Sequence, residues 1–191
     1  MTEKELLLAS LREFRDAMVY KLDGLSDAEL RMPMTPTGTN LLGLVKHLAG
    51  LEYGYLGDSF GRPAPERMSW MDDGSAWDGA DMWVAPGEST DYIVGLYQRA
   101  RTHADETIEA LELDHVGTVA WWAEGRRETT LRQIVLRMIG ETARHAGHAD
   151  IVRELLDGSG GRHPGDPSFP ADADASWWRE YVARIRDSAH H

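Results

Sequence analysis

The sequence predicts an all-α protein, and a four-helix bundle is the simplest architecture for it. Four long segments repeat apolar residues every three or four positions, which is the spacing of one helix face. Three of these segments begin near a Ser, Thr or Asn residue that can cap a helix. The length of 191 residues is that of one ordinary domain. We therefore expect a single domain over residues 1–191, with a core at about 3–158 and an extension at about 159–191.

The first two helices are separated by a short turn and a loop. Apolar residues at helical spacing over residues 7–25 predict the first helix. Residues 26–29, Ser-Asp-Ala-Glu, form a capping box for a short helical turn, and two prolines make the next piece a loop. Thr39 or Asn40 then caps a second helix, whose apolar face covers residues 41–55.

The middle of the chain combines an irregular segment with the third helix. Residues 61–87 contain three prolines and three tryptophans. This aromatic-rich loop is too long for a simple connector, so we expect it to pack by its tryptophans over a helix end. Ser89 or Thr90 caps the third helix, which carries apolar residues as far as Leu111. Residues 116–129 fit either a hairpin or an extended link.

The last part of the chain holds the fourth long helix and a short C-terminal helix. Thr130 and Gln133 form another capping box, and the helix runs to about Leu156. Residues 157–174 are rich in Gly, Pro, Ser and Asp and end this helix. Apolar residues then predict a short helix around residues 177–185.

The fourth helix carries three ionisable residues where its apolar stripe should continue. Glu141, His145 and His148 fall within roughly 60° of arc on a helical wheel, on the same side as Ile134 and Val152. A buried carboxylate or imidazole is costly unless it is paired or binds a metal. A metal ion would remove that cost.

The second helix offers a third ligand for such an ion. Glu141 and His145 lie one turn apart on one face, and His47 lies at the edge of the core face of the second helix. Two histidines and a glutamate leave coordination positions open, as a catalytic site requires. The alternative is a buried polar network, in which Arg144 or Arg153 balances Glu141.

Two segments of the chain resemble the DinB-like family. LGLVKHLAGLE at residues 42–52 and ETARHAGHAD at residues 141–150 are most similar to the branch called mini-circle proteins, which occurs in actinobacteria. The resemblance extends from the first helix to about Gly158, and relatives include mycothiol-dependent maleylpyruvate isomerase and thiol S-transferases. It implies a bundle of up-down-down-up topology with a divalent metal at one end, most often zinc or nickel.

The resemblance also implies roles for individual residues. Carried over residue by residue, the family's metal ligands fall on His47, Glu141 and His145. His148 then lies beside the ligands or substitutes for one of them. Either His148 or a metal-bound water would move the proton, and we expect His148 to be the catalytic residue.

These features predict a metal-dependent enzyme that acts on small molecules. The metal would lower the pKa of a low-molecular-weight thiol, which the resemblance identifies as mycothiol. The thiolate would attack an electrophile in an S-transferase or isomerase-like reaction. The chain contains no cysteine, which fits a cosubstrate that brings its own sulfur. The alternative is a non-enzymatic metal-binding or stress-response module, which would keep the same three ligands.

Composition limits the partners of the protein. With 20 basic and 32 acidic residues the net charge is −12, which argues against nucleic-acid binding. No apolar stretch approaches the ~20 residues that span a bilayer, and the N-terminus lacks the basic start of a signal peptide, so we expect a cytoplasmic protein. Trp121-Trp122 and Trp177-Trp178 suit core packing, a homodimer contact or the lining of a pocket above the metal.

Overall fold

The computed structural model describes residues 1–167, 170 and 173–189, and they are mostly helical. The helices are α1 (Glu3–Tyr20), α2 (Asp27–Arg31), α3 (Leu41–Leu56), α4 (Ser69–Asp72), α5 (Thr90–Ala110), α6 (Leu131–Asp157) and α7 (Ala175–Ser188). Two 3-10 turns lie at Asp58–Phe60 and Ser75–Asp78, and two short strands are β1 (Val116–Thr118) and β2 (Glu128–Thr130). The predicted all-α class is confirmed.

The helix starts follow the capping signals in the sequence. The predicted capping box at Ser26 is present, and so is the one at Thr130. Asn40 rather than Thr39 caps α3, because its side chain accepts a hydrogen bond from the backbone N–H of Gly43. The first helix is shorter than predicted: α1 ends at Tyr20, and a turn with a left-handed Gly24 follows.

Helix α3 lies at the centre of the molecule. It packs against both α5 and α6, and α1 packs against α6. Most of its residues are buried, including the charged Lys46 and Glu52. A helix that is buried on nearly all sides brings every residue on it close to a neighbouring element. This placement brings His47 to α6.

A buried ion pair joins α1 to α3. The guanidinium of Arg15 donates to both carboxylate oxygens of Glu52, over 2.7 and 2.5 Å, and both side chains are fully buried. Arg15 also donates to Asp105 on α5. Burial alone would lower the pKa of Arg15, but Glu52 and Asp105 outweigh it and raise the pKa above its ordinary value. No pattern in the sequence predicts this network.

The segment before α6 is a hairpin, which resolves the alternative left open for residues 116–129. Strands β1 and β2 pair antiparallel, with Gly117 opposite Thr129. Gly117 also lies against Phe60, where an added Cβ would come within 2.6 Å of the ring. The loop of the hairpin returns to α3, because Trp122 donates a hydrogen bond to the hydroxyl of Tyr55.

Residues 61–87 are held against α3 by polar contacts. The amide of Asn40 donates to the carbonyl of Met82, and the ammonium of Lys46 donates to the carbonyl of Trp83. Gly43 makes this approach possible, because a Cβ there would lie 1.9 Å from the Met82 oxygen. The prediction that the segment packs by its tryptophans holds for Trp70, which is buried under Lys46, whereas Trp83 is half exposed and Trp77 is 76% exposed.

The C-terminal helix carries an exposed apolar face. The rings of Trp177 and Trp178 meet edge to face, and Trp177 stacks on Tyr181. These rings lie on the surface and contribute nothing to the core. Within the described part of the chain no helix is both long and apolar enough to cross a membrane.

Candidate metal centre and adjoining cavity

Three histidines meet where α3 packs against α6. His47 comes from α3, and His145 and His148 come from successive turns of α6. The ring centroids of His47 and His145 are 5.0 Å apart, and those of His145 and His148 are 5.3 Å apart. The Nδ1 atoms of His145 and His148 are separated by 3.4 Å. The structure thus brings together the histidines that the sequence selected on two distant segments.

Asp81 fixes the ring of His47. Its Oδ2 atom lies 2.6 Å from Nδ1 of His47, and both side chains are largely shielded from solvent. A carboxylate in this position holds the proton on Nδ1, which leaves the lone pair on Nε2 for another partner. We assign the tautomer from this hydrogen bond. The sequence does not mark Asp81 as a functional residue, because Asp81 lies in a segment without helical periodicity.

His145 is the most deeply buried of the three rings. Burial, followed by the positive potential of His47, His148 and Arg144, lowers the pKa of His145 to about 4. The imidazole is therefore neutral near pH 7. A neutral imidazole keeps a lone pair, which is the form that binds a metal.

Glu141 lies one turn before His145, as its spacing predicts. Its Oε2 atom is 3.9 Å from Nε2 of His145, and its Oε1 atom is 3.6 Å from Nη2 of Arg137. Of the two arginines considered for balancing Glu141, Arg153 instead forms an ion pair with Asp157. The cation beside Glu141 is Arg137.

These side chains fit a divalent metal by their donor types. Neutral imidazole nitrogens and a carboxylate are ligands that zinc and nickel accept. Yet within the described residues no group of three or more His, Cys, Asp or Glu side chains could hold a metal ion as it stands. The Glu141 carboxylate lies between His145 and Arg137. Its side chain would have to rotate towards the histidines to complete a metal site.

A cavity of about 380 Å³ adjoins His47. His47 and Asp81 line one part of it, and four aromatic residues line another, namely Tyr55, Trp77, Trp121 and Trp122. Two glycines of α3 also border it. Both Trp121 and Trp122 line the cavity, and Trp122 also packs against the apolar core, so the structure confirms pocket lining for the pair and core packing for Trp122.

The chain matches the family model for mycothiol-S-transferases over residues 6–158. The chain belongs to the mycothiol-S-transferase family. The matched region contains the histidine cluster, Glu141, Asp81 and the cavity, and it ends at Gly158, where the predicted core also ends. The DinB-like resemblance is thereby confirmed, and α7 lies outside the match. A search of curated proteins returned no match.

Proposed function

We propose that this protein is a metal-dependent mycothiol S-transferase in which His47, Glu141 and His145 hold the metal. The observation that carries the proposal is the meeting of His47 and His145 from separate helices beside a cavity large enough for a small molecule. Family membership supports mycothiol as the thiol. We further propose the up-down-down-up bundle of DinB-like proteins for the four long helices, which is supported by the packing of α3 on α5 and α6.

The chemistry needs a thiolate close to an electrophile. When bound, a divalent ion at this site would lower the pKa of a coordinated thiol, so that thiolate forms near neutral pH. Asp81 orients His47 so that Nε2 is available, and His145 offers a neutral ring. His148 lies next to His145 and is the base that takes the thiol proton. The sulfur then forms a bond to the electrophilic carbon while the leaving group departs with its electron pair.

Metal content in single variants tests the ligand set. We expect His47→Ala and His145→Ala to abolish metal retention, because each removes a ligand from a different helix. Glu141→Ala should weaken retention strongly. Plasma emission measures the metal, and circular dichroism checks that each variant stays folded, since apolar burial rather than the ion stabilises the core. Full metal occupancy in His47→Ala would exclude this site.

Turnover tests the reaction and the role of His148. We expect His148→Ala to keep most of its metal and to lose at least tenfold in turnover of mycothiol with an electrophile panel. His163→Ala is the matched control, because His163 is exposed and lies beyond the family match. Stronger metal loss in His148→Ala than in Glu141→Ala would assign the ligand pair to His145 and His148. Metal retention without turnover of any panel member would favour the non-enzymatic module.

A further inference from the structure

The walls of the cavity beside His47 are aromatic. Tyr55 contacts Trp121 and Trp122, with ring centroids 5.1 and 6.0 Å apart. Trp121 remains 37% exposed. Electron-rich rings that border an open cavity favour a flat, electron-poor ring stacked against them.

These walls are held in place without a ligand. Trp122 donates its indole N–H to the hydroxyl of Tyr55 over 3.2 Å. Gly54 lets Trp121 lie directly on α3, because a Cβ at this position would come within 3.1 Å of the indole ring. A preformed pocket loses little conformational entropy on binding. The shape of the cavity is therefore a property of the protein itself.

A cation with unused hydrogen-bond donors lies beside the aromatic rings. The guanidinium of Arg137 lines the same cavity and lies 5.1 Å from the ring centre of Tyr55 and 5.4 Å from that of Trp122. Its nearest carboxylate is Glu141, at 3.6 Å, and it donates no hydrogen bond to any residue that the structure describes. A planar guanidinium with free N–H groups binds a carboxylate through two parallel hydrogen bonds.

We propose that this cavity selects planar aromatic electrophiles that carry a carboxylate. The ring stacks on the exposed indole of Trp121, and the carboxylate binds Arg137. His47 lines the same cavity, so the reacting carbon would face the thiol. For a chloronitrobenzoate, the thiolate forms a C–S bond, the C–Cl bond breaks, chloride leaves and the thiol proton goes to His148. This assignment rests on the proposed function for its reaction, whereas the binding preference stands without it.

The binding preference is measured with two unreactive ligands that share one ring. 3,5-Dinitrobenzoate carries the carboxylate, 1,3-dinitrobenzene lacks it, and neither has a leaving group. By titration calorimetry on the full chain we expect the benzoate to bind about 10- to 100-fold more tightly, which is the range of a hydrogen bond to a charged group. Arg137→Gln should remove this difference, so that the two ligands bind with similar affinity.

Two further variants complete the test. Arg132→Gln is the matched control, because it removes an arginine of α6 that pairs with Glu3 away from the cavity, so the preference should persist. Gly50→Leu should weaken both ligands, since Gly50 lines the cavity and an added side chain would occupy it. Equal affinity of the wild-type protein for the two ligands, or a preference retained by Arg137→Gln, would overturn the proposal.

The same ligands separate this inference from the proposed function. 4-Chloro-3,5-dinitrobenzoate adds a leaving group to the tighter ligand, and mycothiol would displace its chloride if the protein is the proposed transferase. We expect the wild-type protein to release chloride. In Arg137→Gln the kcat/KM for chloride release should fall at least tenfold, because KM rises. A preserved binding preference with no chloride release would refute the transferase activity while supporting the selection of aromatic carboxylates.

Discussion

Removing the carboxylate of Asp81 should weaken metal binding although Asp81 is not a proposed ligand. Its Oδ2 atom lies 2.6 Å from Nδ1 of His47, and the exposed fractions of the two side chains are only 17% and 20%. Such a shielded, charge-assisted hydrogen bond is little weakened by solvent. Without it the ring of His47 can rotate, and the proton can move to Nε2, which blocks the lone pair that a metal needs.

The magnitude follows from the effect of such orienting carboxylates in metal sites. Asp81→Ala should raise the Kd for zinc or nickel about 10- to 100-fold, which corresponds to about 1.4–2.8 kcal/mol. Asp81→Asn should have a smaller effect, because its amide oxygen still accepts the hydrogen bond from Nδ1 but carries no charge. Asp78→Asn is the matched control, since Asp78 is an exposed aspartate of the same segment.

Calorimetric titration of metal into the apo-protein measures these affinities, with a competing chelator if binding is tight. Suppose that His47→Ala no longer binds the metal but Asp81→Ala binds it with the wild-type Kd. The hydrogen bond with Asp81 would then not be needed to orient His47 for metal binding. The same Kd shift in Asp78→Asn would mean that the effect is one of general charge. Either result would refute the reasoning from geometry.

Two further predictions concern the stability of the metal-free protein. Glu52→Ala should lower the free energy of unfolding, measured by urea titration, by about 3 kcal/mol, because Arg15 stays buried and keeps only Asp105 as partner. The control Glu109→Ala removes a surface ion pair and should lower it by less than about 0.5 kcal/mol. Similar losses in both would disprove a special role for the buried pair. The pKa of His145 is about 4 in the folded state against an ordinary 6.5, so the unfolded state binds more protons between these values. Stability should therefore fall by about 2–3 kcal/mol as the pH drops from 6.5 to 4, and His145→Gln should flatten that slope in urea titrations at several pH values.

The long helices could be predicted, and the proposed ligand residues selected, because both follow local rules of the sequence. Helix periodicity and caps act within a few residues, as at Thr130, and the structure places α6 from Leu131 onwards. Glu141 and His145 are recognised by the same periodicity, because they interrupt an apolar stripe. His47 could be selected because it lies at the edge of the apolar face of a second helix, and the resemblance supported this choice.

The buried ion pair could not be predicted from either helix alone. On α1, Arg15 is one of several charged residues between apolar ones, and nothing in its neighbours marks it as fully buried. It is buried because Glu52 arrives from α3 and Asp105 from α5. Pairing between distant residues decides burial here, so periodicity on a single helix assigns Arg15 to the surface.

The structure of residues 61–87 could not be predicted from the sequence either, and this segment supplies Asp81 to the candidate site. Its course depends on contacts that Asn40 and Lys46 make with backbone carbonyls of residues 82 and 83, and neither contact leaves a pattern in the segment itself. Because these contacts fix the residues next to Asp81, they place the Asp81 carboxylate beside His47. The same segment supplies Trp77 to the wall of the cavity. Residues 61–87 therefore link the orientation of a proposed ligand to the shape of the pocket, and a substitution that frees the segment, such as Gly43→Val against the Met82 carbonyl, should disturb both together.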